Sequence, residues 1–123
     1  MKGHPKIIEV LNSLLIDEFA ARHQYMAHAE VSKNWGYTKL AEYQKHTSQD
    51  EQVHAEKLLA RIIFLEGKPI MDKFGAMNVA YITPQQLKND VSGELAAIDK
   101  YNAAIRVAFE LGDHTTRQLL SLS

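Results

Sequence analysis

The sequence contains no cysteine, and that single absence removes disulfides, thiolate metal sites and cysteine nucleophiles together. Helix breakers are scarce as well, with three prolines and six glycines in 123 residues, so long stretches run uninterrupted. No apolar run approaches the roughly 18 residues that a membrane span needs. The opening Met1-Lys2-Gly3-His4-Pro5 leads into an amphipathic pattern rather than the apolar core and cleavage site of a signal peptide, so a soluble cytoplasmic protein is expected. Neither sign of charge dominates: the formal net charge of −1 leaves no basic footprint for nucleic acid. Nothing of low complexity divides the chain, and its length suits one domain over residues 1–123.

What the sequence does contain is helical periodicity. A first helix opens at Pro5, a residue pre-set for the first turn, and runs to about 34, stopping at Trp35-Gly36. Its apolar stripe is Ile7/Ile8, Leu11, Leu14/Leu15, Glu18, Ala21/Arg22, Tyr25 and Ala29. A second helix covers 38–66 and ends at Glu66-Gly67, with Pro69 just beyond. Its stripe reads Leu40, Tyr43, Thr47, then Leu58, Ile62 and Leu65, and Glu51 and His54 fill the positions between. The turn joining these helices is so short that they must pack antiparallel.

Residues 67–82 carry no helical period. Thr83-Pro84-Gln85-Gln86 then starts a third helix, with Thr83 as cap, and its stripe is Leu87, Val91, Glu94, Ile98, Tyr101, Ile105 and Ala108. It ends at Gly112, and Asp113 is placed to cap a fourth helix of barely three turns. The connection over 67–82 can reach about 50 Å at about 3.3 Å per residue, against about 40 Å for the second helix. It is therefore long enough to run the length of a bundle, which would make helices two and three parallel.

Three helices thus each place one acid, Glu18, Glu51 or Glu94, at mid-height in an apolar stripe. A buried unpaired carboxylate costs several kcal/mol or takes up a proton, whereas a metal ion removes the penalty. Glu51 and His54, three residues apart, share one face, and carboxylate with imidazole suits iron, manganese or zinc. Any one of these acids alone reads more simply as a solvated flank residue; together they match the inward Glu and Glu-x-x-His of di-iron carboxylate bundles. His23, His28, His46 and His114 lie off the shared stripe and are expected on surfaces or flanks, with His28 and His46 kept as lesser candidates for a role near a metal.

At these residues the chain resembles the bacterioferritin family along its whole length. Besides the acids and His54, the matching features are Met1-Lys2-Gly3, residues 12–15, Gln24-Tyr25, Lys33-Asn34-Trp35-Gly36 and Phe64-Leu65-Glu66-Gly67-x-Pro69. The resemblance implies an all-α, ferritin-like four-helix bundle with a long crossover between helices two and three. It also implies a subunit of a hollow shell of 24 that oxidises ferrous iron and stores ferric mineral. Glu18, Glu51, His54 and Glu94 fall where the family has four ligands of its ferroxidase centre. Glu18 and His54 would hold one iron, Glu51 would bridge, and Glu94 would hold the second. Tyr25 resembles the tyrosine kept beside that centre. His46, Asp50 and Asp90 resemble residues of an inner-surface or accessory iron site.

Two departures limit what carries over. The family's remaining ligands come from a second Glu-x-x-His on the fourth helix, and the sequence ends at Ser121-Leu122-Ser123 before such a motif, so a shortened fourth helix is expected. Apolar faces led by Leu15, Phe19, Leu58, Ile62, Ile98 and Ile105 should then lie open. Leaving ~400 Å² of such surface wet forfeits about 10 kcal/mol, so at least a dimer is expected, through the outer faces of helices one and two or through exchange of the segment around Leu119, Leu120 and Leu122. The complete shell of 24 is expected only with a complete fourth helix. The competing reading is a non-catalytic helical assembly subunit or fragment with weak or no metal binding.

The other departure is Gln52, which stands where the family's haem-ligating methionine would be. An amide is a poor substitute for a thioether, so the purified protein should show no Soret band. The Gln52→Met variant should acquire low-spin haem absorbance; a bis-thioether haem spectrum from the unaltered chain would overturn the assignment.

Overall fold

Four helices make up residues 1–122, which are the residues that the computed structural model describes. They are α1 (Pro5–Asn34), α2 (Thr38–Phe64), α3 (Thr83–Glu110) and α4 (His114–Ser121). Local chemistry sets their ends. Pro5 occupies the first turn of α1, where the His4 ring accepts the Lys6 N–H at 3.0 Å. Gly36 and Gly112 take φ of 82° and 74° after α1 and α3, a left-handed conformation that glycine adopts without a Cβ clash. Asp113 caps α4 by accepting the Thr116 N–H at 3.0 Å. Thr83, expected as the cap of α3, is instead its first residue, after an extended Ile82 that makes no side-chain cap.

The apolar core joins the start of α1 to the end of α2. Ile7, Leu11, Leu14 and Leu15 interlock with Ala55, Leu58, Ile62 and Leu65, and Ala104, Ala108 and Leu120 close the cluster from α3 and α4. Each fully buried Leu or Ile there stabilises the fold by about 1.5–3 kcal/mol. Although α4 is only eight residues long, it delivers Leu120 to this core. Arg61 on α2 ties it down by donating to Thr116 Oγ1 at 3.0 Å and Asp113 Oδ1 at 3.3 Å. Hence Leu15, Leu58 and Ile62, expected to lie open, are buried, and Phe19 and Ile105 are partly covered. Of that set Ile98 alone is largely exposed, at 55%.

Two stripes run differently from their periodicity. In the first half of α2 the buried side chains are Ala41, Gln44 and Ser48, while Tyr43 is 66% exposed. The reason is polar pairing across the α1–α2 seam: Ser48 donates to the Arg22 carbonyl at 2.9 Å, and Gln44 joins Ser32 and Gln86. In α3 the regular positions Leu87, Val91 and Ile98 are exposed, and Gln86, Asp90 and Ala104 are buried off the stripe, while its last member, Ala108, is buried as expected. These polar side chains face α1 because the connection into α3 needs them there.

That connection follows α1 from one end to the other. Asn12 donates to the Lys68 carbonyl at 3.0 Å and accepts the Ile70 N–H at 2.8 Å. Further along, Gly75 approaches so closely that a Cβ on it would lie 3.1 Å from Ala20 Cβ. Gln24 accepts the Asn78 N–H, His28 the Ala80 N–H, and Trp35 donates to the Tyr81 carbonyl. The chain thus enters α3 at the far end of α1 and returns antiparallel to it: Gln86 meets Ser32, Asp90 meets Gln24, and Tyr101 meets Glu18. Helices α2 and α3 are therefore parallel, the crossover topology expected from the length of 67–82.

His28, expected at a surface or flank, is instead fully buried. Its Nε2 accepts the Ala80 N–H at 2.9 Å, which leaves the proton on Nδ1, 3.0 Å from Asp90 Oδ1 at an oblique angle. An imidazole supplies acceptor and donor on opposite edges, so it serves a buried backbone N–H that no apolar side chain could satisfy.

Gln86 is the hinge of this polar layer, accepting from Ser32 and Gln44 while donating to the Ala80 carbonyl. Gln86→Leu strands these buried groups and should cost about 2–3 kcal/mol in urea unfolding. Ile98→Ala, on the open face, should change stability by no more than about 0.5 kcal/mol.

Candidate metal centre

Glu51 and His54 lie one turn apart on α2 and face α1, where Glu18 is buried at the same height. One ligand atom from each of the three falls within 4.8 Å of the others. His54 Nδ1 is 3.5 Å from Glu18 Oε2 and 3.7 Å from Glu51 Oε2. Glu94 approaches from α3, lining the same cavity of about 410 Å³. It was expected to converge with the other three; it stands across the cavity from them, on the exposed side of α3, with Oε1 accepting the Tyr25 hydroxyl at 2.7 Å. Three of the four expected ligands are gathered and the fourth faces them.

The electrostatics follow from this crowding. Burial, reinforced by the hydrogen bond and charge of Glu18, pushes Glu51 up to about 9; His54 pulls the other way, and Glu94 adds to the rise. Burial also lifts Tyr25 and Tyr101 far above the ordinary phenol range, with further lift from Glu94 and Glu18 respectively. Both tyrosines are therefore proton-bearing donors at any physiological pH. Oxygen and imidazole donors in this mixture suit iron, manganese or zinc, and a cation would replace the proton that Glu51 holds.

His46 and Asp50 lie apart from this cluster, whereas Asp90 reaches the wall of the same cavity. His46 Nδ1 and Asp50 Oδ2 pair at 3.4 Å, one turn apart on the exposed side of α2. Asp90, expected to belong with them, is instead buried in the α1–α3 seam, where Gln24 donates to its Oδ1 at 2.9 Å and His28 faces it. The helix that bears Asp90 packs on α1, and its polar side chains satisfy the crossover. Gln52 donates to Glu56 at 2.8 Å along its own helix.

Three residues of the cavity escaped the pattern reading. Tyr101, read as an apolar stripe member, donates its hydroxyl to Glu18 Oε1 at 2.8 Å. Its place seven residues after Glu94, on the same face, was the available signal. Lys100 and Asp17 form an ion pair at the cavity wall, linking α3 to α1; no spacing rule marks residues 83 apart in sequence.

Residues 8–122 match the model of the ferritin-like domain family. The chain is 38% identical over 119 residues to a bacterioferritin of Brucella melitensis, covering 97% of this chain and 74% of that one. A bacterial ferritin of Neisseria meningitidis is 35% identical over 120 residues, with 98% of this chain and 77% of that one covered. The solved structure of Rhodobacter capsulatus bacterioferritin superposes with a TM-score of 0.97 at 35% identity, over 98% of this chain and 76% of that one. In that crystal the dinuclear site is free of metal, and a haem iron sits on a crystallographic special position.

The raised Glu51 carboxyl makes stability depend on pH. Its folded value of about 9 exceeds the 4.5 of the unstructured chain. The native state therefore keeps a proton that the unfolded state releases. The stability this proton contributes is fully present below the unfolded value and is lost as pH rises through the folded one. The metal-free protein should lose up to about 1.4 kcal/mol per pH unit within that window, read as a falling urea midpoint, and Glu51→Gln should flatten the profile. A wild-type midpoint that rises from pH 5 to 9 would contradict the assignment.

Proposed function

The chain belongs to the ferritin-like domain family and, within it, to the bacterioferritins; from that premise we propose that it is an iron-storage subunit that binds Fe(II) at Glu18, Glu51, His54 and Glu94 and oxidises it to Fe(III) for deposition as mineral. The observation that carries the reading is the gathering of Glu18, Glu51 and His54 around one point of a cavity that Glu94 lines from the other side. Nothing in the local packing asks for buried acids there, and a divalent cation is the partner that turns their repulsion into attraction.

Iron is the substrate. Ferrous ions entering the cavity meet carboxylate oxygens, which favour the ferric product because harder, more highly charged ions bind oxygen donors more strongly. Two Fe(II) together supply the two electrons that reduce O2 to peroxide, or peroxide to water with two protons. Glu51 would give up its proton to a cation, and as a neighbour of Glu18 on a cavity that Glu94 also lines it would be the residue suited to serve two ions. His54, on the Glu18 side, serves the first ion, and Glu94 the second. Tyr25 keeps its proton and holds Glu94. His46 and Asp50 would serve a separate, exposed iron contact on α2, as the resemblance implied. Haem has no comparable fit: the amide of Gln52 donates to Glu56 and offers no thioether to a porphyrin iron.

Assembly belongs to the same reading. Leu87, Val91, Leu95 and Ile98 form an exposed apolar face on α3, with Leu95 at 60%. A single chain in water would keep that face wet, so we place the subunit in a homo-oligomer, at least a dimer, with the 24-subunit shell of the bacterioferritin kind reserved for a chain whose fourth helix is complete. No helix among the described residues is long and apolar enough to cross a membrane.

Addition of Fe(II) in air should produce a stoichiometric rise in near-ultraviolet absorbance, as ferric oxygen-ligand bands appear. Glu51→Ala and His54→Ala should abolish both binding and rise. Glu51→Ala should also melt at a higher temperature without metal, because it removes one acid from the buried cluster, whereas His54→Ala should not, because it takes away the group that opposes the carboxylates. Wild-type protein that binds no iron would leave a non-catalytic helical assembly subunit as the reading that stands.

A further inference from the structure

Glu18 has two oxygens in different circumstances. Oε1 accepts the Tyr101 hydroxyl at 2.8 Å. Oε2 is buried, accepts no hydrogen bond from a backbone, amide, imidazole or phenol donor, and points to the side of His54, whose Nδ1 is 3.5 Å away. A carboxylate free to turn about its last bond would present both oxygens to a cation equally well. Here one oxygen is engaged by a donor on a different helix, and the other keeps its lone pairs for whatever lies between α1 and α2. Leaving a buried carboxylate oxygen to face another acid and a distant imidazole is costly, so the arrangement is one that a ligand completes.

Tyr101 is well held for such a task. It is half-covered against the core cluster, and the neighbouring Lys100–Asp17 ion pair joins the same two helices. The partner arrangement at Glu94, where Tyr25 donates to Oε1, means that each side of the cavity has one phenol engaged with one carboxylate oxygen.

We propose that Tyr101 is a positioning residue that restricts Glu18 to ligation through a single oxygen, Oε2, and thereby sets the coordination number of the metal bound beside His54. The proposal rests on the metal-centre reading above. Tyr101 touches neither metal nor oxidant; it acts through Glu18. Removing its hydroxyl frees Oε1 to chelate, which adds a donor atom and alters the geometry without deleting any ligand.

Cobalt(II) replaces Fe(II) in oxygen and imidazole sites and reports coordination number through its visible bands, which are weak when six-coordinate and stronger when four- or five-coordinate. Wild type, Tyr101→Phe and Glu51→Ala would be titrated with Co(II), with thermal melting to verify the fold. Tyr101→Phe should still bind, with affinity changed by about three- to tenfold, the worth of one hydrogen bond, and with distinctly weaker bands. Infrared difference spectra of the loaded wild type against Glu18→Gln give a second readout that needs no change at Tyr101. The two stretches of metal-bound Glu18 should be widely separated, as for single-oxygen ligation, and should draw together in Tyr101→Phe. Closely spaced stretches in wild type, or identical cobalt bands in wild type and Tyr101→Phe, would overturn the role of Tyr101 and leave the metal centre standing. Absence of cobalt bands in wild type, or their persistence in Glu51→Ala, would instead overturn the metal centre and this proposal with it.

Discussion

Mutual repulsion among carboxylates in a partly buried cavity is the constraint on which the rest of this molecule turns. Glu18, Glu51 and His54 are brought together by the tightest packing in the fold, that of α1 on α2. Such a group is tolerable only if the negative charge is shared, protonated or neutralised. Metal-free, the protein uses the first two: Glu51 keeps its proton, and Tyr101 and Tyr25 direct hydroxyls at Glu18 and Glu94. Each remedy is one that a cation could take over, so the feature that makes the site a source of instability also suits the receptor role proposed for it.

The position of α3 determines whether Glu94 reaches that receptor, and α3 is positioned by polar contacts rather than by its apolar stripe. The crossover is laid along α1 through Asn12, Gln24, His28 and Trp35, and its end is locked by Gln86 between Ser32, Gln44 and the Ala80 carbonyl. Hydrogen bonds of this kind are directional, so they set register where apolar contact would permit sliding. One turn beyond this layer, Glu94 comes within reach of Tyr25. Such a scaffold suits the proposed iron site, because Glu18, Glu51, His54 and Glu94 are held at heights set by helices rather than by loops.

The exposed face of α3 and the buried core differ in kind. Around Leu11, Leu58 and Ile62 the helices satisfy one another, whereas Leu87, Val91, Leu95 and Ile98 are left to solvent by the described residues. Ile98 of that face also lines the cavity. An interface formed there would also lower the local dielectric around Glu94.

Helix number, the antiparallel first pair, the crossover and the candidates Glu18, Glu51, His54 and Glu94 were all legible from local signals. Pro5, Gly36, Gly67 and Gly112 punctuate the chain, the length of 67–82 permits one topology, and an acid within an apolar stripe is conspicuous. Those features depend on spacing along one helix or on the reach of one connection. What periodicity could not convey is which neighbour a side chain meets. Tyr101 looked apolar and proved to be the donor to Glu18; His28 looked peripheral and proved to be buried beneath Ala80; Asp90 looked like a companion of His46 and sits with Gln24 instead. The α3 stripe was the most regular in the sequence and is the least covered in the structure, because regular spacing specifies a face and says nothing of what packs on it. Hydrogen-bond partners between residues 52 to 83 positions apart are decided only when the helices meet, by geometry that no single segment contains.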